Sequence, residues 1–96
     1  MVTQLFNNAG LVGTVSEILY SQTVLFNPSG ALQVDIIGSA NVVLEGRASN
    51  EAPWETLLEV TKPGVEHVPI MMDQMRLRIS SWSLFSQVNA WLLASN

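Results

Sequence analysis

The sequence predicts an all-β domain, a small antiparallel β-sandwich or jelly-roll-like barrel of about seven to eight strands. Apolar and polar residues alternate in short runs that are rich in β-branched and aromatic side chains. Clusters of Gly, Pro, Asn and Ser separate these runs at the regular spacing of sandwiches and barrels. The 96 residues fit one domain. We expect it over residues 13–96, after an N-terminal arm over residues 1–12.

The middle of the chain gives the clearest strands, because strong turns such as Asn27-Pro28-Ser29-Gly30 bound them. Trp54, Leu58 and Val60 share one face of their strand, so Trp54 is interpreted as a core residue. A helix near the C-terminus is an alternative, but the preceding strand and its polar interruptions favour another strand. The expected strands are 31–37, 40–47, 54–60, 65–70, 75–82 and 85–94, with less distinct ones at 13–19 and 22–26.

The composition indicates that part of the protein's surface is covered by partner molecules. Hydrophobic residues make up 48% of the chain and charged residues 12%, about half the usual charged share of a soluble domain. No apolar run approaches the ~18 residues of a membrane-spanning helix, and the N-terminus does not have the pattern of a secretory signal. Four basic residues and a net charge of −4 argue against nucleic-acid binding. We therefore expect protein partners, and neither membrane nor nucleic acid.

The side chains needed for catalysis or metal binding are scarce. The chain contains one histidine, His67, and no cysteine, whereas a metal site needs three or four ligands. No serine lies in a G-x-S-x-G motif, and the glycines do not form a phosphate-binding loop. Alternation places Glu45, Glu55 and Glu59 on outward, solvated faces. We expect a protein that is not an enzyme and binds no cofactor or metal.

Apolar residues on the supposedly outer faces predict a subunit interface. Trp82 and Trp91 fall opposite the main apolar sets of their strands, which is more typical of an interface than of a sugar-binding platform. Arg76 and Arg78 form a basic stripe that either pairs with cross-strand glutamates or docks on an acidic partner. The full set of candidate interface residues is Leu5, Phe6, Ile37, Val43, Leu57, Arg76, Arg78, Trp82, Trp91 and Leu93. We expect a homo-oligomer, a dimer or trimer with cyclic symmetry.

The last 59 residues resemble small β-sandwich virion proteins of tailed bacteriophages. The resemblance lies in Val42-Val43-Leu44-Glu45-Gly46, in the polar loop that leads to Trp54, and in Met75-Arg76-Leu77-Arg78-Ile79-Ser80-Ser81. The loop at 48–53 departs from the pattern because it has no Asp-Gly pair. The resemblance implies a capsid decoration (cement) subunit on the virion surface, whose partners are its own copies and a major capsid protein.

The alternative function is a carbohydrate-binding or adhesion module of a phage tail appendage. It predicts at least two solvent-exposed Trp or Tyr side chains on one surface. The assembly function instead predicts Trp82 or Trp91 buried between chains. The residues 1–12, which include the apolar Leu5 and Phe6, would then be an arm that docks on a capsid or on a neighbouring subunit.

Overall fold

The computed structural model describes residues 2–20, 30–68 and 72–93, and these residues form eight β-strands and no helix. In chain order the strands are β1 (Val2–Ala9), β2 (Leu19–Tyr20), β3 (Ala31–Ile37), β4 (Ala40–Arg47), β5 (Glu55–Val60), β6 (Gly64–His67), β7 (Gln74–Trp82) and β8 (Gln87–Leu93). No helix long and apolar enough to cross a membrane occurs within those residue ranges.

The strands form two antiparallel sheets of four strands each. Sheet A has the order β1-β8-β3-β6, and sheet B has the order β2-β7-β4-β5. Only β4 and β5 are consecutive strands that pair with each other, so every other connection between described strands passes from one sheet to the other. The fold is therefore a small β-sandwich, as the sequence predicted.

Alternation along the strands produces the core between the sheets. In β3 every second residue is buried, and in β7 and β8 the inward-facing residues are likewise almost fully covered. A fully buried aliphatic side chain contributes roughly 1.5–3 kcal/mol through removal of apolar surface from water. The largest fully buried side chains are Leu32, Val34, Val42, Leu44, Met75, Leu77, Ile79, Val88 and Leu92.

The N-terminal segment is a strand of this domain, which corrects the expectation of a separate arm. β1 pairs along its length with β8 of the same chain. The register shifts between Gln4 and Phe6, which is the mark of a β-bulge, and both Leu5 and Phe6 are buried in the core. The bulge explains the wrong prediction, because two adjacent inward residues do not fit simple alternation. Leu5 and Phe6 are thus core residues and not interface residues.

Most of the expected strands in the described ranges are present. Residues 31–37 and 40–47 have the predicted bounds. The last strand begins at Gln87 and not at residue 85, because Phe85 adopts a left-handed turn conformation with φ 67°. Of the predicted strand 13–19, only a single bridge at Val15 and the start of β2 form, and β6 ends at His67. The predicted strand 22–26 lies outside the described residues.

Candidate interaction surfaces

Two neighbouring rows of side chains cross the outer face of sheet A. By register, the first row contains Val2, Leu93, Ala31 and His67, and the second contains Gln4, Trp91, Gln33 and Val65. Five of these eight residues are apolar, and they come from all four strands. We call Val2, Ala31, Val65, Trp91 and Leu93 the apolar face.

The apolar face surrounds a shallow depression of about 380 Å³, lined by its five residues and by Gln33. Val2 and Val65 are each 63% exposed, and Leu93 is 49% exposed, although all three lie on strands of a sheet. Trp91 is half-buried. A concave surface with this much exposed apolar side chain is typical of a site that another molecule covers.

Charge is missing from both rows. Of their eight residues only His67 is titratable, at the edge strand β6, and the remaining polar residues are the glutamines Gln4 and Gln33. The Gln4 side-chain amide donates to the backbone carbonyl of Phe6 at 3.2 Å, so part of its hydrogen-bonding capacity is used within the chain. A partner that covered this face would not have to desolvate a charged group.

The outer face of sheet B carries a network of charged and aromatic side chains. The carboxylate of Glu45 accepts from Arg76 Nε at 3.0 Å and from Arg78 Nε at 3.3 Å, and its side chain is only 7% exposed. The guanidinium groups of Arg47 and Arg76 each lie 4.3 Å from the centroid of the Trp54 ring. We call Glu45, Arg47, Trp54, Arg76 and Arg78 the arginine network.

In the arginine network, the Nε atom of each arginine has a hydrogen-bond partner within the chain. Arg47 also donates from Nε to the side-chain oxygen of Gln74 at 2.8 Å. Stacking of a guanidinium group on an indole ring contributes about 0.5–1 kcal/mol at an exposed site. No buried side-chain nitrogen or oxygen among the described residues is without a hydrogen-bond partner. The basic stripe at Arg76 and Arg78 therefore pairs with the cross-strand Glu45, which is one of the two alternatives that the sequence left open, but this glutamate is buried and not solvated.

Two β-bulges reverse the expected orientations of two tryptophans, because Trp54 faces outward and Trp82 faces the core. Between β4 and β5 the register skips Leu57, which turns Trp54 to the outer face of sheet B and not into the core. Between β4 and β7 the register skips Ser80, so Trp82 pairs with Ala40 and packs against the core. The Trp82 Nε1 donates to the backbone carbonyl of Ser86 at 2.9 Å. Trp54 was wrongly predicted to be core, and Trp82 was wrongly placed on an outer face.

The five remaining candidate interface residues lie in four different environments. Trp91 and Leu93 lie on the apolar face, and Ile37 is exposed at the opposite end of β3. Val43 lies outside the core cluster, in one row with Glu59 and Arg78, but it is only 3% exposed and so offers little surface to a partner. Leu57 is the residue skipped by the β5 bulge and packs against the core, which contradicts its predicted outward position.

Four exposed apolar residues lie in the connections that follow β1 and β7; the sequence analysis placed Leu11 and Val12 in the expected N-terminal arm and assigned no interface role to Leu84 and Phe85. We call Leu11, Val12, Leu84 and Phe85 the apolar tip. Leu84 is 73% exposed and Phe85 is 87% exposed, at the turn between β7 and β8. Both Leu11 and Phe85 have positive φ, at 76° and 67°, which is uncommon for residues with a bulky side chain. The available signal was two apolar pairs flanked by small residues, Gly-Leu-Val-Gly and Ser-Leu-Phe-Ser.

The described residues offer few groups for chemistry. Within residues 2–20, 30–68 and 72–93, no three His, Cys, Asp or Glu side chains lie together in a way that could hold a metal ion. His67 is exposed on the edge strand β6. The sequence matches no protein-family model and no curated protein, and the fold matches no solved structure.

Proposed function

We propose that this chain is a structural subunit of a virus-like assembly, of the capsid decoration (cement) type. In this function it associates with its own copies as a dimer or trimer, binds a major capsid protein on the virion surface, and adds contact area that stabilises the shell. The observation that carries the proposal is the apolar face, because contact between water and an uncharged apolar surface across four strands is unfavourable in free energy.

The size of the face supports a protein partner. The two longer dimensions of the molecule are 36 and 27 Å, which outline a broad side of about 970 Å². A standard protein–protein interface buries roughly 800 Å² on each partner. The apolar face is the part of that broad side nearest one end of β3 and β8, and the next row along these strands holds Asp35 and Asn89. It would form the centre of such an interface, and interface centres are typically depleted in charge and enriched in aromatic residues such as Trp91.

The charge distribution favours the sheet A side over the sheet B side. The chain has a net charge of −4, so two copies repel each other unless the contact excludes charged groups or pairs them. The apolar face has no charged residue, and the exposed Asp35 lies in the next row of sheet A, beyond it along β3. Docking through sheet B would instead cover the partly exposed Arg76 and Arg78, which already share Glu45.

The proposal is tested by the mass of the purified protein, measured by light scattering after size exclusion over a series of concentrations. We expect a discrete multiple of the 10.5 kDa monomer at micromolar concentration. A monomer at every concentration would contradict self-assembly. The control is the same measurement at high salt, since an apolar interface keeps its mass there and a charge-driven contact does not.

The second candidate function is carbohydrate binding by the same depression. Trp91 lies between Gln4 and Gln33 in register, and an indole flanked by amides is a suitable surface for a sugar ring. The other tryptophans do not extend such a platform, because Trp82 packs against the core and the Trp54 ring is stacked by two guanidinium groups. A change of intrinsic fluorescence on titration with oligosaccharides, together with a monomeric mass, would favour this function.

A further inference from the structure

We propose that the turn between β7 and β8 of one copy inserts Leu84 and Phe85 into the depression of the apolar face of the next copy. The contact is head to tail, and it rests on the proposed assembly function, for which it names the two surfaces that meet.

The two surfaces lie at opposite ends of the same strand. β8 begins at Gln87, directly after the turn that carries Leu84 and Phe85, and it ends at Leu93 on the apolar face. At about 3.3 Å per residue the strand separates them by roughly 20 Å. One copy can therefore present its tip and its depression to two different neighbours at the same time. Contacts of this heterologous kind close into a ring when the rotation between neighbours permits it.

The chemistry of the two surfaces is complementary. The projecting residues are a leucine and a phenylalanine between serines, and the depression is lined by apolar residues and one glutamine. Neither surface contains a charged residue, so insertion of the two side chains into the depression does not itself remove a charged group from water. A cavity of about 150 Å³ accepts a benzene ring. The depression of about 380 Å³ is thus large enough for both side chains.

The turn is fixed at its base before any partner binds. Ser83 and Ser86 are joined by a hydrogen bond between their hydroxyl groups at 2.9 Å, and the Ser86 amide donates to the Ser83 carbonyl at 3.1 Å. The Trp82 indole donates to the Ser86 carbonyl, and the Ser39 amide donates to the Ser86 hydroxyl at 2.9 Å. A projection that is already ordered loses less conformational entropy on binding than a loose loop.

The backbone of Phe85 supports a binding role for its side chain. A left-handed φ costs a bulky residue on the order of 1 kcal/mol, whereas glycine or asparagine adopts it easily. Phe85 is 87% exposed, so packing within its own chain does not offset this conformational cost. Burial of the phenyl ring in a neighbouring copy would offset this cost.

The test uses two single variants and their mixture. Phe85→Asn removes the phenyl ring at a φ that asparagine tolerates, and Leu93→Asn makes the depression polar without touching the tip. Val15→Thr, an exposed position beside β7 in sheet B, is the matched control. Each of the first two variants is expected to weaken self-association by roughly 10- to 100-fold, since the apolar burial of one large side chain corresponds to one or two powers of ten. The control is expected to assemble like the original chain.

The mixture distinguishes head-to-tail contact from every symmetric alternative. Phe85→Asn keeps an intact depression and Leu93→Asn keeps an intact tip, so an equimolar mixture is expected to give a 1:1 complex of twice the 10.5 kDa monomer mass. Its mass is measured by sedimentation velocity at a concentration above that at which the original chain assembles and below that at which either variant assembles alone. Unchanged far-ultraviolet circular dichroism of each variant shows that both are folded.

The other outcomes separate this inference from the proposed function. If the original chain assembles and Phe85→Asn keeps its full mass, the inference is wrong and the assembly function stands. The same holds if both variants are monomers and their mixture stays monomeric, because the contact then joins like surfaces. A monomeric original chain overturns both.

Discussion

The two outer faces of this sandwich share one architecture and differ completely in chemistry. On sheet B, the arginine network brings three of the four basic residues of the chain around one buried glutamate and one indole ring. On sheet A, the apolar face exposes valines, a leucine and part of a tryptophan around a depression. The charged and aromatic side chains on sheet B have partners within the same chain, whereas sheet A exposes apolar side chains, and it is therefore the side on which we propose that a partner binds.

The largest expected effect comes from breaking the arginine network at its centre. Glu45→Gln keeps the size of the side chain but removes the charge that accepts from Arg76 and Arg78. Hydrogen bonds to charged groups contribute roughly 1.5–3 kcal/mol, and the partial exposure of both arginines reduces that value. We expect the free energy of unfolding in urea to fall by about 2 kcal/mol.

Glu59→Gln is the matched control for that substitution. Glu59 is exposed on β5, one row from Glu45, so its change is expected to stay within about 0.5 kcal/mol. An equal decrease in the free energy of unfolding for Glu45→Gln and Glu59→Gln would show that the network adds nothing beyond ordinary surface charge. The proposed contrast between the two faces would then not hold for sheet B.

A smaller effect is expected from the aromatic member of the same network. Trp54→Leu removes the ring on which Arg47 and Arg76 stack, at roughly 0.5–1 kcal/mol for each contact. We expect the free energy of unfolding to fall by about 1–2 kcal/mol, measured by urea unfolding followed by circular dichroism. Trp54→Phe keeps a π face and should recover part of the loss. If Trp54→Phe and Trp54→Leu are equally unstable, packing and not cation–π stacking holds Trp54.

The sequence predicts the fold well where the strands alternate without interruption. β3 and β4 have their predicted bounds, and the residues expected to face inward, such as Leu32, Val34, Val42 and Leu44, are in the core. Alternating burial is visible in β3, whereas in β4 the outward Val43 and Glu45 are also buried. β-Bulges interrupt this relation. The extra residue at Ser80 or Leu57 looks like any other strand residue in the sequence, yet it reverses the direction of Trp82 or Trp54.

The candidate surfaces were only partly predictable for related reasons. Trp91 and Leu93 were found because β8 alternates regularly up to its end. Glu45 was expected to be solvated, since its burial depends on Arg76 and Arg78 arriving beside it from a strand that is distant in the chain. The exposure of Leu84 and Phe85 depends on the turn between two sheets, which composition and periodicity do not describe.

The most direct test of the contrast compares the two outer faces through their own tryptophans. The variant Trp54→Phe keeps Trp91 on sheet A together with Trp82, and the variant Trp91→Phe keeps Trp54 on sheet B together with Trp82, so the Trp82 hydrogen bond at the β7–β8 turn is retained in both. Any difference in quenching between the two variants therefore reports on Trp91 against Trp54. Acrylamide quenching of each variant is measured as the protein concentration rises. We predict that quenching of Trp91 falls as copies associate, whereas quenching of Trp54 stays constant. Constant quenching of Trp91 together with falling quenching of Trp54 would place the interface on sheet B and contradict the account.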